Sequence, residues 1–396
     1  MRKTLATIMM CLFLIQPTFA KDEKAGDMAA DDVAALGAIL MDGKTGRVLW
    51  GKNAYTPLPM ASTTKIMTAI ITLENGRLDD IVKVSKRAAA APEVKMFLHA
   101  GEEIKLEYLL YALMLQSSND AAVAIAEHIG GSVEAFCKQM TEKAAALGAK
   151  DTLFETPSGL DTANHHSTAY DMALIARYAM ENEKFVEIIN TQNISATSSR
   201  RTYSIINKNR LLHEFPGANG IKTGFTGKAG QCFVGAAKRG DMQLISVVLA
   251  SGWGSAGKEQ KWKDTKALLN HGFNHYGYEH IVIKDVKAGE FMVDRSKTTR
   301  MGVHFGDSYM VPLNKAERES IYIEIDMPKM IRAPITKGQT IGMAKVFISG
   351  KLFEEVAILA DADAPRHDLK TSLEKIANQW LQLGTNEQVD LVLPEF

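Results

Sequence analysis

Cysteine, unbalanced charge and long apolar runs are all scarce in this chain, and each scarcity removes a class of protein. Three cysteines occur in 396 residues, and only Cys137 and Cys232 lie beyond position 20. An exported chain could pair them, but two thiols in so long a chain are not a disulfide framework. Cys232 sits in an apolar strand-like run and Cys137 in a helix-like one, which reads as two buried free thiols. Lysine plus arginine equals aspartate plus glutamate, 46 of each. That balance gives no electrostatic case for nucleic acid as a partner. No segment after the first twenty residues is apolar for the roughly 20 residues that a membrane span requires.

The N-terminus carries an address. Arg2 and Lys3 precede a largely apolar stretch from Thr4 to Ile15, and Thr18 and Ala20 supply small residues at a cleavage point. Residues 1–20 are expected to be a secretory signal peptide cut after Ala20, which exports the mature chain. Met9 and Met10 ahead of Cys11 argue against a lipoprotein signal. Removing these residues leaves 44 cationic against 46 anionic side chains.

Two further regions follow. Residues 21–278 mix helical and strand patterns. They open with a hairpin, Ala38–Met41 and Arg47–Trp50 around an Asp42-Gly43 turn. Helical periods start near Ser62 and then cover 106–115, 121–129, 133–147, 169–180 and 262–269. Thr168, with Asp171 three residues on, resembles a capping box. Cys232–Ala237 and Leu244–Leu249 are apolar enough to be adjacent strands. Helices around an antiparallel sheet make this region α+β. Residues 279–365 hold short apolar runs at 281–283, 291–293, 321–325 and 346–348, with turn signals at Lys337-Gly338 and Ser349-Gly350-Lys351. That pattern predicts a small all-β domain. In the tail, 366–396, Leu369, Leu373, Ile376, Trp380 and Leu383 share one helical face. Two readings stand for it, a helix packed on its own domain or a peripheral membrane contact, although its polar face is not rich in Lys or Arg.

Three short motifs carry the chemistry. In Ser62-Thr63-Thr64-Lys65 the outer residues are nearly one helical turn apart, so their side chains meet. A serine hydroxyl needs a neighbouring base, and Lys65 can serve if burial or a nearby cation lowers its pKa. The same spacing recurs at Ser255–Lys258 and Ser372–Lys375, so alone it reads as an N-cap serine with an exposed lysine. The second motif is Ser117-Ser118-Asn119. Ser117 could relay a proton and Asn119 could bind a substrate amide, or the cluster could merely cap the next helix. The third is Lys222-Thr223-Gly224, where a lysine on a strand edge can bind a carboxylate and glycine admits a ligand backbone. Lys44-Thr45-Gly46 repeats it in the first hairpin, where turn chemistry explains it. Order and context single out Ser62, since only there do all three follow in sequence on a helix start, an interhelical loop and a strand edge.

The chain resembles the low-molecular-mass D-alanyl-D-alanine carboxypeptidases among the penicillin-binding proteins, the peptidase S11 family, over nearly all of its mature length. Besides the motifs, the resemblance rests on Asn53, Pro57, Pro59-Met60-Ala61 and Thr156-Pro157-Ser158-Gly159-Leu160. It extends through His166-Ser167-Thr168-Ala169, Asp171-Met172-Ala173, Gly220-Ile221 ahead of Lys222, Phe225-Thr226, and Ala229-Gly230. Pro334-Ile335 and Lys337-Gly338-Gln339 resemble the family's β-rich second domain.

The resemblance implies a serine β-lactamase/penicillin-binding-protein-like catalytic fold and no metal or other cofactor. It also implies hydrolysis of the terminal D-Ala of peptidoglycan pentapeptides through an acyl-enzyme. By the same resemblance Ser62 is acylated, Lys65 is its base, and Ser117 and Asn119 assist. Lys222 and Thr223 hold the terminal carboxylate beside Gly224, and the N–H groups of Ser62 and Phe225 form the oxyanion hole. The implied partners are a stem peptide ending in D-Ala-D-Ala and β-lactam antibiotics. The implied location is the periplasm or the outer face of the cytoplasmic membrane. Ser118 and Phe225 stand where some relatives carry Gly and His. The alternatives are a DD-endopeptidase, a β-lactamase and a non-catalytic peptidoglycan-binding protein. Glu155 lacks an Asn four residues on, which disfavours the β-lactamase. His165-His166 lacks a third ligand at metal spacing and reads as a loop.

Overall fold

The computed structural model describes residues 28–367, with Leu373, residues 376–378 and Trp380 beyond them. The expected signal peptide lies outside the described residues, as do Leu369 and Leu383 of the tail. Leu373, Ile376 and Trp380 are helical and exposed. The chain divides into two compact units, Met1–Gly272 and Phe273–Phe396.

The first unit is built on a five-stranded antiparallel sheet. Its strands are β1 (Gly37–Asp42), β2 (Val48–Lys52), β3 (Ala218–Thr226), β4 (Gly230–Arg239) and β5 (Met242–Leu249), in the order β2-β1-β5-β4-β3. Asp42 turns the β1–β2 hairpin by accepting from the backbone N–H and hydroxyl of Thr45, while Gly46 supplies a φ of +77°. That accounts for Lys44-Thr45-Gly46 as turn chemistry. β4 is buried at eight successive positions, as an inner strand covered on both faces should be. β3 is an edge strand, so one row of its backbone groups is free of sheet pairing.

At the centre runs α1 (Lys65–Asn75), whose first eight residues are all buried. A helix that is apolar on every side must be surrounded by protein. Ile66, Met67, Ala69, Ile70 and Ile71 fill its faces, and burying each large side chain is worth roughly 1.5–3 kcal/mol. Its two buried threonines are both satisfied. The Thr72 hydroxyl donates to the Thr68 carbonyl, and the Thr68 hydroxyl donates to the Pro157 carbonyl.

The helical stretch expected at 106–115 divides. Leu106–Tyr111 is α-helical (α2), and Ala112–Gln116 widens into a π turn that ends on Ser117 at φ +66°. Next come α3 (Asn119–Gly130), α4 (Val133–Ala146), α5 (Ala169–Met180) and α6 (Gly254–His275). α1 packs on α3, α4 and α5, and α5 covers β1 and β5. The Thr168 cap is only half of a capping box. Its hydroxyl accepts from Asp171 N, but the Asp171 carboxylate accepts from Asp151 N and the Thr152 hydroxyl. Both cysteines are buried and free, and burial pushes each thiol up to about 12.

The second unit is β-rich. A six-stranded sheet runs in the order 322–326, 340–348, 351–360, 300–305, 287–294, 330–332, with only the last pairing parallel. Gly277–Val282 pairs separately with Tyr309–Leu313. Ser349-Gly350 turns one hairpin with both residues at positive φ, and Gly338 turns at φ +78°.

Candidate active site

A strained entry to α1 places the first motif. Ala61–Thr64 forms a single 3-10 turn, and Ala61 adopts φ +49°, unusual for a residue with a side chain. The Thr63 hydroxyl donates to the Met60 carbonyl at 2.6 Å, and the Thr64 hydroxyl donates to the Ala61 carbonyl at 2.8 Å. Gly159, at φ +83°, closes on this turn so tightly that a Cβ there would lie 1.9 Å from the Ala61 oxygen.

Lys65, fully buried, reaches back along the turn. Its Nζ lies 2.9 Å from Ser62 Oγ, 2.8 Å from Asn119 Oδ1 and 2.6 Å from the Ser158 carbonyl. Burial holds its pKa well below the usual ammonium range. Lys222 pushes the same way, and Asp120 opposes both. Two of its three partners can only accept. A neutral amine therefore directs its two protons to Asn119 Oδ1 and Ser158 O, leaving its lone pair for the Ser62 hydroxyl. Ser62 is also 3.4 Å from the Ser158 carbonyl.

The second motif sits where the π turn meets α3. Asn119 is fixed at both ends of its amide, with Oδ1 on Lys65 and Nδ2 donating to the Pro92 carbonyl at 3.1 Å. Ser118 occupies the N-cap position, yet its side chain caps nothing and its buried hydroxyl has no partner among the described residues. Capping therefore does not account for the serines. The Ser117 hydroxyl likewise makes no hydrogen bond among the described residues, and the structure does not join it to Lys65. Asp120 accepts from Met96 N and Leu98 N, tying the 92–98 loop to the base of α3.

The third motif lies on β3, beside Ser62. A Cβ on Gly224 would stand 3.0 Å from Ser62 N and 3.2 Å from the Met60 carbonyl, so only glycine lets the strand approach this closely. Lys222 is buried, and its Nζ donates to the Thr223 carbonyl at 3.1 Å. Burial, with Lys208 and then Lys261 adding to it, lowers its pKa to about 7. Thr223 is half-buried and Phe225 is exposed, so both flank the open edge of the strand.

The site also uses residues to which the sequence reading gave no role. Ser158 supplies the carbonyl under Lys65, and in the sequence it stood only among the residues that carry the family resemblance. His165 is buried. Its Nδ1 accepts from Glu155 N at 3.0 Å and its Nε2 lies 2.8 Å from Thr64 Oγ1, while burial lowers its pKa to about 4. His166 points elsewhere, its Nδ1 donating to the Asn164 carbonyl. Among the described residues no cluster of three His, Cys, Asp or Glu could hold a metal ion. The Glu155 carboxylate is spent on its own loop, accepting from the Thr162 hydroxyl and from the backbone and side chain of Asn164. The competing Ser255 and Lys258 are both exposed on the first turn of α6, and Ser372 and Lys375 lie outside the described residues.

Comparison with known proteins points the same way as this geometry. Residues 24–252 match the family described as D-alanyl-D-alanine carboxypeptidase, and residues 276–366 match the C-terminal domain of penicillin-binding protein 5. The D-alanyl-D-alanine carboxypeptidase DacF of Bacillus subtilis is 31% identical over 392 residues, spanning 96% of this chain and 99% of the relative. DacC of Escherichia coli is 32% identical over 367 residues, 87% of each chain. Among solved structures, penicillin binding protein 5 from Haemophilus influenzae superposes with a TM-score of 0.70 at 27% identity, over 84% of this chain and 98% of that one.

Proposed function

The chain belongs to the D-alanyl-D-alanine carboxypeptidase family, and from that premise we propose that Ser62 is its nucleophile and Lys65 the base that activates it. The protein is a hydrolase, a serine-type D-Ala-D-Ala carboxypeptidase with a penicillin-binding-protein fold. The observation that carries the assignment of residues is the Lys65 amine. It is buried, electrostatically disfavoured as a cation, and bound to two pure acceptors and one hydroxyl.

In this reading Ser62 Oγ attacks the carbonyl carbon of the penultimate D-Ala while its proton passes to Lys65 Nζ. The carbonyl oxygen gains negative charge and is received by the N–H groups of Ser62 and Phe225. The closeness of Gly224 to Ser62 N supports that pairing of turn and strand. The C–N bond then breaks, and the departing D-Ala amine takes the proton back from Lys65, with Ser117 assisting. Water hydrolyses the Ser62 ester to free the shortened peptide. Lys222, as an ammonium, and Thr223 hold the terminal carboxylate, and Asn119 orients the peptide while positioning Lys65. β-Lactams acylate Ser62 by the same attack.

The natural substrate in this reading is the peptidoglycan stem pentapeptide. That requires export of the mature chain after Ala20, to the periplasm or the outer face of the cytoplasmic membrane. Leu373, Ile376 and Trp380, helical and exposed, support a peripheral membrane contact through the tail, and among the described residues no helix is long and apolar enough to cross a membrane. Domain limits of 21–278, 279–365 and 366–396 complete the reading. The commitment of Glu155 to its own loop disfavours a β-lactamase.

Mass spectrometry of muropeptides after incubation with pentapeptide and with cross-linked substrates tests this. Loss of one alanine from the pentapeptide is the expected result. Cleavage confined to cross-links would replace it with endopeptidase action, and rapid turnover of penicillin would replace it with a β-lactamase.

A further inference from the structure

One buried titratable side chain beside the nucleophile has no part in the proton transfers above. The directions of its hydrogen bonds follow from donor chemistry. A backbone N–H can only donate, so His165 Nδ1, facing Glu155 N at 3.0 Å, is the acceptor. The ring proton therefore sits on Nε2, which donates to Thr64 Oγ1 at 2.8 Å. The Thr64 hydroxyl spends its own proton on the Ala61 carbonyl at 2.8 Å. The result is a one-way chain from Glu155 N through His165 and Thr64 to the carbonyl oxygen of Ala61.

That oxygen belongs to the same rigid peptide plane as the N–H of Ser62. We propose that His165 is a positioning residue for catalysis, fixing the Ala61–Ser62 peptide through Thr64 so that the Ser62 N–H points at the reacting carbonyl oxygen. The inference rests on the assignment of Ser62 N as an oxyanion donor. Two features show that this peptide must be held. Ala61 sits at φ +49°, a conformation that persists only when its surroundings over-determine it. Gly159 blocks movement of the oxygen toward its side, where even a Cβ would lie 1.9 Å away. The tether also strengthens the donor, since a carbonyl that accepts a hydrogen bond polarises the N–H across its own amide. His165 transfers no proton in this scheme. Being neutral and buried, it holds the relay in one direction.

The test compares the full-length protein with its His165→Ala, His165→Gln and Thr64→Val variants. Stopped-flow labelling by a fluorescent penicillin separates initial binding from the acylation rate constant. A boronic acid analogue of D-alanine, whose tetrahedral adduct carries an oxygen in the oxyanion position, reports on the hole itself. Removing a direct oxyanion donor typically costs 100- to 1,000-fold, so loss of this indirect support is expected to slow acylation about tenfold in His165→Ala. Boronate affinity should fall in parallel, with initial penicillin binding unchanged. Glutamine can accept from Glu155 N and donate to Thr64, so His165→Gln should recover most of the rate. Thr64→Val should match His165→Ala, and the double variant should lose no more than either alone.

Equal impairment of the Gln and Ala variants, an unimpaired His165→Ala, or a loss confined to initial binding would each overturn the proposal. If His165→Ala fails to fold, the Gln and Val variants decide alone. Wild-type protein that takes no label would instead sink the assignment of Ser62, so the two failures are distinct.

Discussion

The two units bury very different material. Polar and charged side chains are packed throughout the first, among them Lys65, Asn119, Asp120, His165, Asp171, Lys222, Lys261 and Asp264. In the second, Ser296 is the sole buried polar side chain among the described residues, and its centre is Phe291, Val293, Met301, Val303, Ile341, Val356 and Ile358. Burying a polar group is unfavourable unless its partners come with it. The first unit meets that condition around α1 with a dense set of short bonds, while the hydroxyls of Ser118 and Thr265 stay unpartnered among the described residues. The second has little of this kind to reconcile, Ser296 and the unpartnered His367 Nδ1 among the described residues, and folds around an apolar β core. A buried amine that is awkward for stability is what base catalysis requires, so the polar core marks the unit that does the chemistry.

The sharpest way to break this contrast is to remove the proposed nucleophile. Ser62→Ala should abolish covalent labelling by penicillin and lower carboxypeptidase turnover by at least about 10,000-fold, while the melting temperature barely moves. Persistent labelling would show that the polar core serves stability alone. Next in size, Ile358→Ala in the second unit should lower unfolding free energy by roughly 2–5 kcal/mol with the acylation rate unaltered. A matching loss of acylation would erase the distinction between the units.

Gly159→Ala brings a Cβ to 1.9 Å from the Ala61 oxygen. It should destabilise the first unit by about 1–3 kcal/mol and slow acylation at the same time, measured by denaturation and stopped flow together. Charge state gives a finer test. In the proposed mechanism Lys222 captures the substrate as an ammonium, and its pKa is lowered to about 7. Raising the pH deprotonates it, so kcat/KM should fall roughly tenfold per pH unit above that value. Lys222→Arg, charged throughout, should push the falling limb to higher pH. The smallest effect belongs to Ser118, whose buried hydroxyl has no partner among the described residues. Ser118→Ala should leave activity intact and change stability by no more than about 1 kcal/mol.

Much of this was legible in the sequence. The α+β class followed from helical and strand periods, and the pairing of Cys232–Ala237 with Leu244–Leu249 from their apolar, β-branched composition. Spacing alone placed Lys65 beside Ser62, because three residues make nearly one turn. What spacing cannot carry is contact between distant segments. The Ser158 carbonyl meets Lys65 across 93 positions, and a backbone oxygen leaves no mark in the residue type. His165 lies in a loop, as its sequence context indicates, but its burial and its bonds were not legible, because Thr64 and Glu155 N become its neighbours only after folding.

The π turn at Ala112–Gln116 has a consequence for how this protein can change over time. Each α-helical residue advances the chain by about 100°, and a π turn absorbs one residue more per turn than its α-helical flank. The turn takes up that residue without changing the phase in which the chain leaves for Asn119, which meets Lys65 at 2.8 Å. Deleting a single residue within it would close the turn into a regular helix and leave Ser117 through Asn119 in phase. The length of this stretch can therefore shift by one residue, whereas its side chains, buried from Leu109 to Leu115, cannot be exchanged freely.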